Sequence, residues 1–403
     1  MKIVQLYNEQ RSEFGGESTA IANTTAVLKA RGHEVALAVR SSRDIGDSLI
    51  CKAHAALSGV YSFSAESAIR DIVERERPDV IHAHGVYPLW SPSIFRACRR
   101  LRVPTVLHVH CHYLTCPNWY HLREGKVCTL CFGGKEHWCV LKNCRGSYME
   151  SAAYALRSAV ARSFRLFSDN VGVFIAVSAY LRERLIAGGF PGGRIQVISN
   201  VVPADSGIGA DANGARDYIA YCGRLSEEKG VRVLLEAARC TGLPVKIAGD
   251  GPLRDALQAA APSNVSFLGY LKRDALTHFY RNARFTVVPS LSFEGLPLAA
   301  AESMMHGRPV IGSRIGAIPE VVREGTTGLL FPPGDHEQLA SSMADLWSDA
   351  VSCDRYGRAA QFYARQEYSE DLYYARLRTA YDDAARVLLT GQPEHDPLLG
   401  VSN

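Results

Sequence analysis

A chain of 403 residues is longer than one hydrophobic core usually supports, so two domains are expected. With 47% apolar and 21% charged residues it has the composition of a soluble globular protein, which excludes disordered and fibrous classes. A net charge of +4 is too small to indicate a nucleic-acid partner; it suits an anionic substrate or a weak peripheral membrane contact and establishes neither.

The opening "MKIVQLYNEQ" enters a strand pattern at once, without a signal-peptide core, and no apolar run reaches the roughly 18 residues that cross a bilayer. A cytoplasmic location is expected, and with it reduced cysteines rather than a disulfide framework. Short apolar runs then alternate with amphipathic stretches, as in a parallel sheet flanked by helices. The expected strands of the first half are residues 2–7, 34–39, 79–84, 105–110, 172–177 and 195–199. Gly32, in "KARGHEV", can end the first helix in the left-handed conformation.

"TVLHVHCHYLTCP" (105–117) carries His108, His110 and His112 at alternate positions, which share one side only if the strand persists that far. His84, in "IHAHG", is a second histidine expected near a cleft. From Cys111 to Cys144 the chain concentrates six of its eleven cysteines. Cys128-x2-Cys131 has the spacing of a metal knuckle, and Cys116, Cys139 and Cys144 compete to complete a tetrahedral thiolate site. Structural zinc on Cys116, Cys128, Cys131 and Cys144 is expected in preference to an iron–sulfur cluster, and either in preference to unliganded thiols, with Cys139 the alternative to Cys144. "AYALRSAVARSFRLF" (153–167) sets Leu156, Val160, Phe164 and Phe167 on one helical face and Arg157, Arg162 and Arg165 elsewhere. A core helix with a solvated basic face is favoured over one resting on anionic lipid.

Residues 200–217, rich in Gly, Ala, Asp and Pro, read as an interdomain linker. Strands are expected again at 218–223, 244–249, 264–269, 285–290, 309–313 and 328–331, with a helical tail from about 335. "YCGRLSEEKG" (221–230) supplies Arg224 and Lys229 on a loop after the first of these, a pair suited to a diphosphate or else a solvated loop paired with Glu227 or Glu228. "IAGDGPLR" (247–254) adds a glycine turn, but no complete G-x-G-x-x-G occurs there or after the amino-terminal strand, which weighs against a nicotinamide cofactor. In "SLSFEGLPLAAAESMMHGRPVIGS" (290–313), Pro297 suits a first helical turn. The amides near Gly295, Leu296 and Leu298 could then face an anion. Glu294 lies in the turn and Glu302 within the helix, about 7–8 Å beyond Pro297 along its axis, both able to accept from sugar hydroxyls. Two doubly wound domains with a ligand cleft at the carboxyl ends of their strands are the resulting architecture.

"GRLSEEKG", "AGDGPL", "FLGYL", the 289–313 stretch and "GAIPEVVREGTTGLLFPPGD" together resemble the nucleotide-sugar domain of the GT4 family of retaining glycosyltransferases. "FGGES", "RGHEV", "PDVIHAHG", "AVSAYLRERL" and "VISNVV" agree with its other half, so the resemblance covers most of residues 1–345. It implies an α/β GT-B fold: two Rossmann-like, doubly wound parallel-sheet domains facing a central cleft. Residues 1–202, with the Cys-rich insert 111–144, would form the acceptor side; 203–365 would bind the nucleotide sugar; a helix at 366–390 would return to the first domain.

The implied activity is retaining transfer from a nucleoside-diphosphate sugar to a glycan or lipid-linked acceptor, in polysaccharide or glycoconjugate biosynthesis, with no catalytic cofactor. Carried over by residue, Arg224 and Lys229 would hold the diphosphate, Glu294 the transferred sugar and Glu302 the ribose. Gly295 and Leu296 would offer amides, Gly16 would approach the diphosphate from the opposite domain, and Gly269, Tyr270 and Leu271 would border the base. His110 matches the histidine near the transferred sugar, with Cys111 where the family commonly has aspartate. A sugar-nucleotide epimerase of the same architecture and a non-catalytic sugar-nucleotide binding module are the alternatives. A glycosidase carboxylate pair fits poorly beside groups suited to a diphosphate.

Overall fold

A computed structural model describes residues 1–10, 16–46, 48–203 and 216–390; residues 204–215 of the expected linker lie outside the described residues. In the first half the strands are β1 (Lys2–Glu9), β2 (Glu34–Ser41), β3 (Val80–Ala83), β4 (Thr105–Val109), β5 (Leu122–Arg123), β6 (Lys126–Val127), β7 (Val173–Ala176) and β8 (Ile195–Val197). β5 and β6 pair antiparallel as a separate hairpin, while the others form a parallel sheet in the order β2-β1-β3-β4-β7-β8. The second half holds β9 (Tyr218–Cys222), β10 (Val245–Ala248), β11 (Val265–Gly269), β12 (Ala283–Val288), β13 (Val310–Ser313) and β14 (Gly328–Phe331). They form a second parallel sheet, ordered β11-β10-β9-β12-β13-β14.

The central strands are short and buried on both faces, which is why they read as continuous apolar runs such as "VFIA" at β7. Each sheet reverses its winding once, between β1 and β3 and between β9 and β12, and ligands of doubly wound sheets bind beyond the carboxyl ends at such points. Gly16, His84 and His110 follow β1, β3 and β4; Arg224 and Glu294 follow β9 and β12. The geometry of the sheets thus gathers chemistry-bearing loops at one cleft.

The last described helix, Glu370–Thr390, returns to pack on β4 and β7. Two of its tyrosines fasten it: Tyr373 meets the Thr24 hydroxyl at 2.6 Å, and Tyr381 meets His82 Nδ1 at 2.9 Å. Among the described residues no helix is long and apolar enough to cross a membrane.

Three local expectations need correction. The helix expected at 153–167 is Tyr148–Ser163, started by Ser147, whose side chain accepts from the Glu150 amide. With that start Phe164 and Phe167 fall beyond its end, and Leu156 and Phe164 are 52% and 72% exposed. Arg157 is buried instead, its guanidinium 3.7 Å from the Tyr154 ring centroid and 4.3 Å from that of Tyr87. Flat guanidinium packs on aromatic faces, so arginine occupies the place reserved for leucine. β4 ends at Val109, so His112 leaves the side shared by His108 and His110 and enters a 3-10 turn at His112–Leu114. Pro297 precedes the helix Leu298–Met305 rather than opening its first turn.

Candidate active site

The second-domain rim is built on the two loops flanking β9 and β12. Lys229 closes a 3-10 turn, Glu227–Lys229, and Gly230 follows with φ +65°. A Cβ at Gly230 would lie 2.0 Å from the Pro289 carbonyl oxygen, so glycine is what lets this loop press against the end of β12. That contact delivers the Lys229 ammonium to Glu294, with Nζ 2.7 and 3.0 Å from the two carboxylate oxygens. Ser290 Oγ donates to the same carboxylate at 2.6 Å. Burial draws the Lys229 pKa down, but the charge and hydrogen bonds of Glu294 outweigh it and leave the ammonium above its usual value.

Arg224 lies on the same loop as Lys229, and its Nη1 donates to the Tyr120 hydroxyl at 3.4 Å. The first amides of the helix Leu298–Met305 have no turn before them to bond to. Among the described residues the N–H groups of Gly295, Leu296 and Leu298 find no acceptor in the protein. Two cations of one loop and a helix start thus lie on the same rim, an arrangement that favours anions.

Further along, Glu302 accepts from the Tyr280 hydroxyl at 3.0 Å. Burial raises the Glu302 carboxyl to about 7, against the opposing pull of that hydrogen bond. Leu271 packs on the cluster that contains Tyr280, Tyr218 and Phe279. Gly269, at φ +69°, takes the Gly249 amide on its carbonyl at 2.8 Å and turns the chain so that Tyr270 is exposed. Residues expected to border a base and the carboxylate expected at a ribose thus share one wall.

The first-domain rim is close. Gly16 opens the helix Gly16–Ala30, and a Cβ there would lie 3.0 Å from Leu298 Cδ1. A Cβ at Gly295 would lie 2.5 Å from the His110 carbonyl oxygen, so the approach that Gly295 permits is first of all that of the opposite rim's backbone. His110 Nε2 and His84 Nδ1 are 3.0 Å apart. Behind them His82 and His108 complete a stack, with His108–His110 and His82–His84 ring centroids 4.3 and 4.4 Å apart. Burial lowers all four; His82 and His110 come down to about 3, so the stack is neutral near pH 7. Donor nitrogens of His82, His84 and His108 lie within 4.8 Å of one another, the spacing of a metal group. Their rings, however, are parallel within 9–25°, so the lone pairs run side by side and do not converge on one ion.

Contacts between the rims are specific. Phe293 inserts among His121, Tyr180 and His112 of the first domain, at centroid distances of 5.5, 5.3 and 5.9 Å. Glu320 accepts from the amides of Ala179, at 2.9 Å, and Tyr180, at the start of the helix Ala179–Ala187.

Residues 14–206 match the family described as Glycosyltransferase Family 4, and residues 216–349 match that of the glycosyl transferases group 1. An uncharacterized glycosyltransferase of Methanocaldococcus jannaschii is 24% identical over 293 residues, 71% of this chain and 70% of its own length. The O-antigen chain mannosyltransferase C of Escherichia coli is 29% identical over 161 residues, 38% of this chain and 43% of that protein, so less than half of that relative is matched. Among solved structures, sucrose-phosphate synthase from Thermosynechococcus elongatus has a TM-score of 0.71 at 18% identity, covering 97% of this chain and 100% of its own. Anabaena HepE, in complex with UDP and glucose, has a TM-score of 0.68 at 17% identity, covering 95% of this chain and 99% of its own. The chain is a group 1 glycosyltransferase. Both structural likenesses show the GT-B fold.

In this transferase Glu294, Lys229, Arg224, Gly295 and Leu296 meet Gly16, His84 and His110 across one cleft. Cys116, Cys128, Cys131 and Cys144 stand apart from it, in the insert that carries Tyr120. Sequence reasoning missed Ser290, Tyr120, Tyr280, Phe293 and Glu17. Glu17 Oε1 takes the Gly85 amide at 2.8 Å, and burial raises its carboxyl. Ser290 and Phe293 lie inside the 290–313 motif, whereas Tyr120 carries no signal beyond its place between cysteines.

Proposed function

We propose that this transferase takes a sugar from a nucleoside-diphosphate donor and passes it, with retained configuration, to a carbohydrate or lipid-linked glycan. The Lys229–Glu294 pair at the start of the helix Leu298–Met305 carries the reading. Within the cleft each group neutralises the other, and a donor offers both a better partner. Its diphosphate suits Lys229, Arg224 and the unpaired amides, and its sugar hydroxyls suit the freed carboxylate. As the bond from the anomeric carbon to the phosphate oxygen breaks, negative charge grows where these groups are already aimed. The acceptor oxygen then bonds to the same face, and its proton passes to the departing phosphate. Protein cations supply the charge, so the step as proposed calls on no cofactor.

Anabaena HepE, of the same fold, was crystallised with UDP and glucose, which supports a nucleotide sugar as donor. Exposed Leu156 and Phe164, near exposed Arg162 and Arg165, support weak peripheral contact with anionic lipid at a cytoplasmic membrane face, where a lipid-linked acceptor would lie.

The test incubates the purified chain with UDP-, GDP- and ADP-sugars, with and without candidate glycans, and follows nucleotide release and product configuration by NMR. Acceptor-dependent release with the donor's anomeric configuration kept is expected. Conversion of the nucleotide sugar without an acceptor would make the chain an epimerase, and binding without turnover a binding module.

A further inference from the structure

A cavity of about 440 Å³ lies in the first domain, away from the cleft. Thr105, which opens β4, and Gly172, which precedes β7, both line it, so it sits at the amino ends of strands whose carboxyl ends face the cleft. The five residues of β4 put about 15 Å between the two. A third wall is the returning helix Glu370–Thr390, through Ala384, Val387 and Leu388. A Cβ at Gly172 would lie 2.7 Å from the Thr105 carbonyl oxygen and 3.3 Å from Ala384 Cβ, so the three elements touch at that glycine. Beside it they part. Packed interiors seldom leave so large a space, and its volume lies within the roughly 300–1,000 Å³ of small-molecule sites.

The walls differ in character. Val103, Pro104, Val171, Val387 and Leu388 make one side apolar. The other side is cationic: Arg99 comes from the last turn of the helix Ser93–Arg100, and Arg194 closes the 3-10 turn Gly192–Arg194. Both reach the stretch before β7. Arg99 Nη1 donates to the Asp169 carbonyl at 2.8 Å, and Arg194 donates to the carbonyls of Val171, at 2.8 Å, and Ser168. Carbonyl oxygens orient a guanidinium without cancelling its charge. The Asp169 carboxylate is held by Arg165 at 2.8 Å, and among the described residues Arg99 and Arg194 have no ion-pair partner. Burial draws Arg194 below its usual pKa; Asp169 opposes this, and the charges of Arg99 and Arg165 add to it. Three guanidinium groups thus share one carboxylate, an excess that a bound anion would balance.

We propose that this cavity binds a phosphate monoester carried on an apolar body, with the phosphate between Arg99 and Arg194 and the body against Val171, Val387 and Leu388. Guanidinium groups present paired N–H donors that match phosphate oxygens. Inorganic phosphate lacks the body and an alcohol lacks the charge, so neither satisfies both walls. The ligand is held and not turned over, because the groups suited to transfer stand at the opposite end of the sheet. Occupied, the site ties the returning helix to the amino ends of β4 and β7.

Calorimetric titration of the full chain with 1-naphthyl phosphate should show one site, and 1-naphthol and inorganic phosphate should each bind at least about tenfold more weakly. Saturating UDP should leave the probe in place. Arg99→Ala should weaken it by at least about tenfold, and Arg99→Lys by less. Leu388→Trp, which fills the apolar side, should abolish it. Amide exchange at 384–388 should slow several-fold on binding. No binding of 1-naphthyl phosphate, or 1-naphthol bound as tightly, overturns the site; these wild-type titrations decide even where a variant does not fold. Displacement by UDP would put the probe in the cleft, and equal affinity in wild type, Arg99→Ala and Leu388→Trp would put it on another surface; either overturns the site as well. So does binding found only in a chain ended at Thr390, which would give the cavity to residues 391–403. Vesicles containing phosphatidic acid separate two sources of the same chemistry. Sedimentation with them, lost in Arg99→Ala, makes the natural ligand a lipid; no sedimentation, beside tight 1-naphthyl phosphate binding, makes it a free ester.

Discussion

The two rims of the cleft are built on opposite electrostatic plans. On the second-domain side opposite charges are paired: Lys229 lies against Glu294, and Ser290 completes the carboxylate's partners. On the first-domain side four imidazoles carry no charge, and among the described residues both nitrogens of His108 and one each of His82, His84 and His110 have no partner. An unpaired buried polar atom costs about 1–3 kcal/mol, so this stack is retained at a cost to stability. The charged rim holds its ligand's place with its own counter-ion, whereas the neutral rim offers hydrogen-bonding edges without a competing field. That division suits a reaction in which one side must stabilise a departing anion and the other must admit a neutral hydroxyl.

Charge removal on the matched rim is expected to have the largest effect. On the proposed donor site Lys229→Ala deletes a cation aimed at the leaving group, and kcat/KM should fall by about 10²–10³, as for loss of one preorganised transition-state donor. Glu294, 9% exposed, would lose its counter-ion, so circular dichroism should accompany the kinetics to show that the fold is intact. His108→Phe, which keeps a flat ring in the opposite stack, should cost far less. Equal losses in the two variants would erase the distinction between the rims.

The neutral rim predicts an acid-labile protein. Its histidines have folded pKa values below the unfolded value near 6.5, with His82 and His110 at about 3. The unfolded chain then binds more protons, so their contribution is complete above pH 6.5 and is lost as pH falls toward 3. By linkage each such histidine forfeits about 2 kcal/mol between pH 6.5 and 5. Urea unfolding at pH 7.5 and 5 should show the loss, and His82→Phe should shrink it by up to about 2 kcal/mol. A stability independent of pH over that range would mean that the stack is charged or solvated.

The charged rim was the more legible of the two because its residues act where the sequence puts them. Arg224, Lys229 and Glu294 each sit on a turn beside Gly or Pro, and Glu302 lies inside the helix that follows the last of these turns, so their placement is local. The histidine stack forms across β3 and β4, and although His82, His84, His108 and His110 showed period-two spacing, only the pairing of Ile81 with Thr105 brings the two sets together. Arg157 was misread because hydrophobic periodicity cannot foresee that Tyr87, Trp119 and Tyr154 build an aromatic box for a cation. Tyr120 is a contact between chain segments 104 residues apart, and nothing local encodes it.

Glu302, on the wall proposed for the donor, gives a smaller and sharper comparison, because burial moves its carboxyl into the working pH range. With its carboxyl at about 7, ionisation should improve its acceptance of ribose hydroxyls as pH rises. UDP affinity should strengthen by roughly tenfold or less between pH 6 and 8. Tyr280→Phe removes the hydroxyl that favours the carboxylate and should move the midpoint to higher pH, while Glu302→Gln should flatten the profile.

Contact between the rims sets the smallest effect. Glu320 reaches from the second domain to the start of the helix Ala179–Ala187, where two unpaired amides and the positive end of the helix dipole meet its carboxylate. Ser178 already caps that helix by accepting from the Leu181 amide at 3.2 Å, so the helix does not depend on Glu320 for its start. Glu320→Gln keeps one acceptor oxygen, so one of the two amides loses its bond together with the charge–dipole part, about 1–2 kcal/mol in all. The melting temperature should fall by a few degrees at most. Phe293, seated among first-domain rings, does not depend on charge and should hold the rims together in the variant. Small-angle scattering should therefore show an unchanged radius; a marked expansion would mean that the rims are joined by this one carboxylate, and that the apolar contact is too weak to keep the cleft closed.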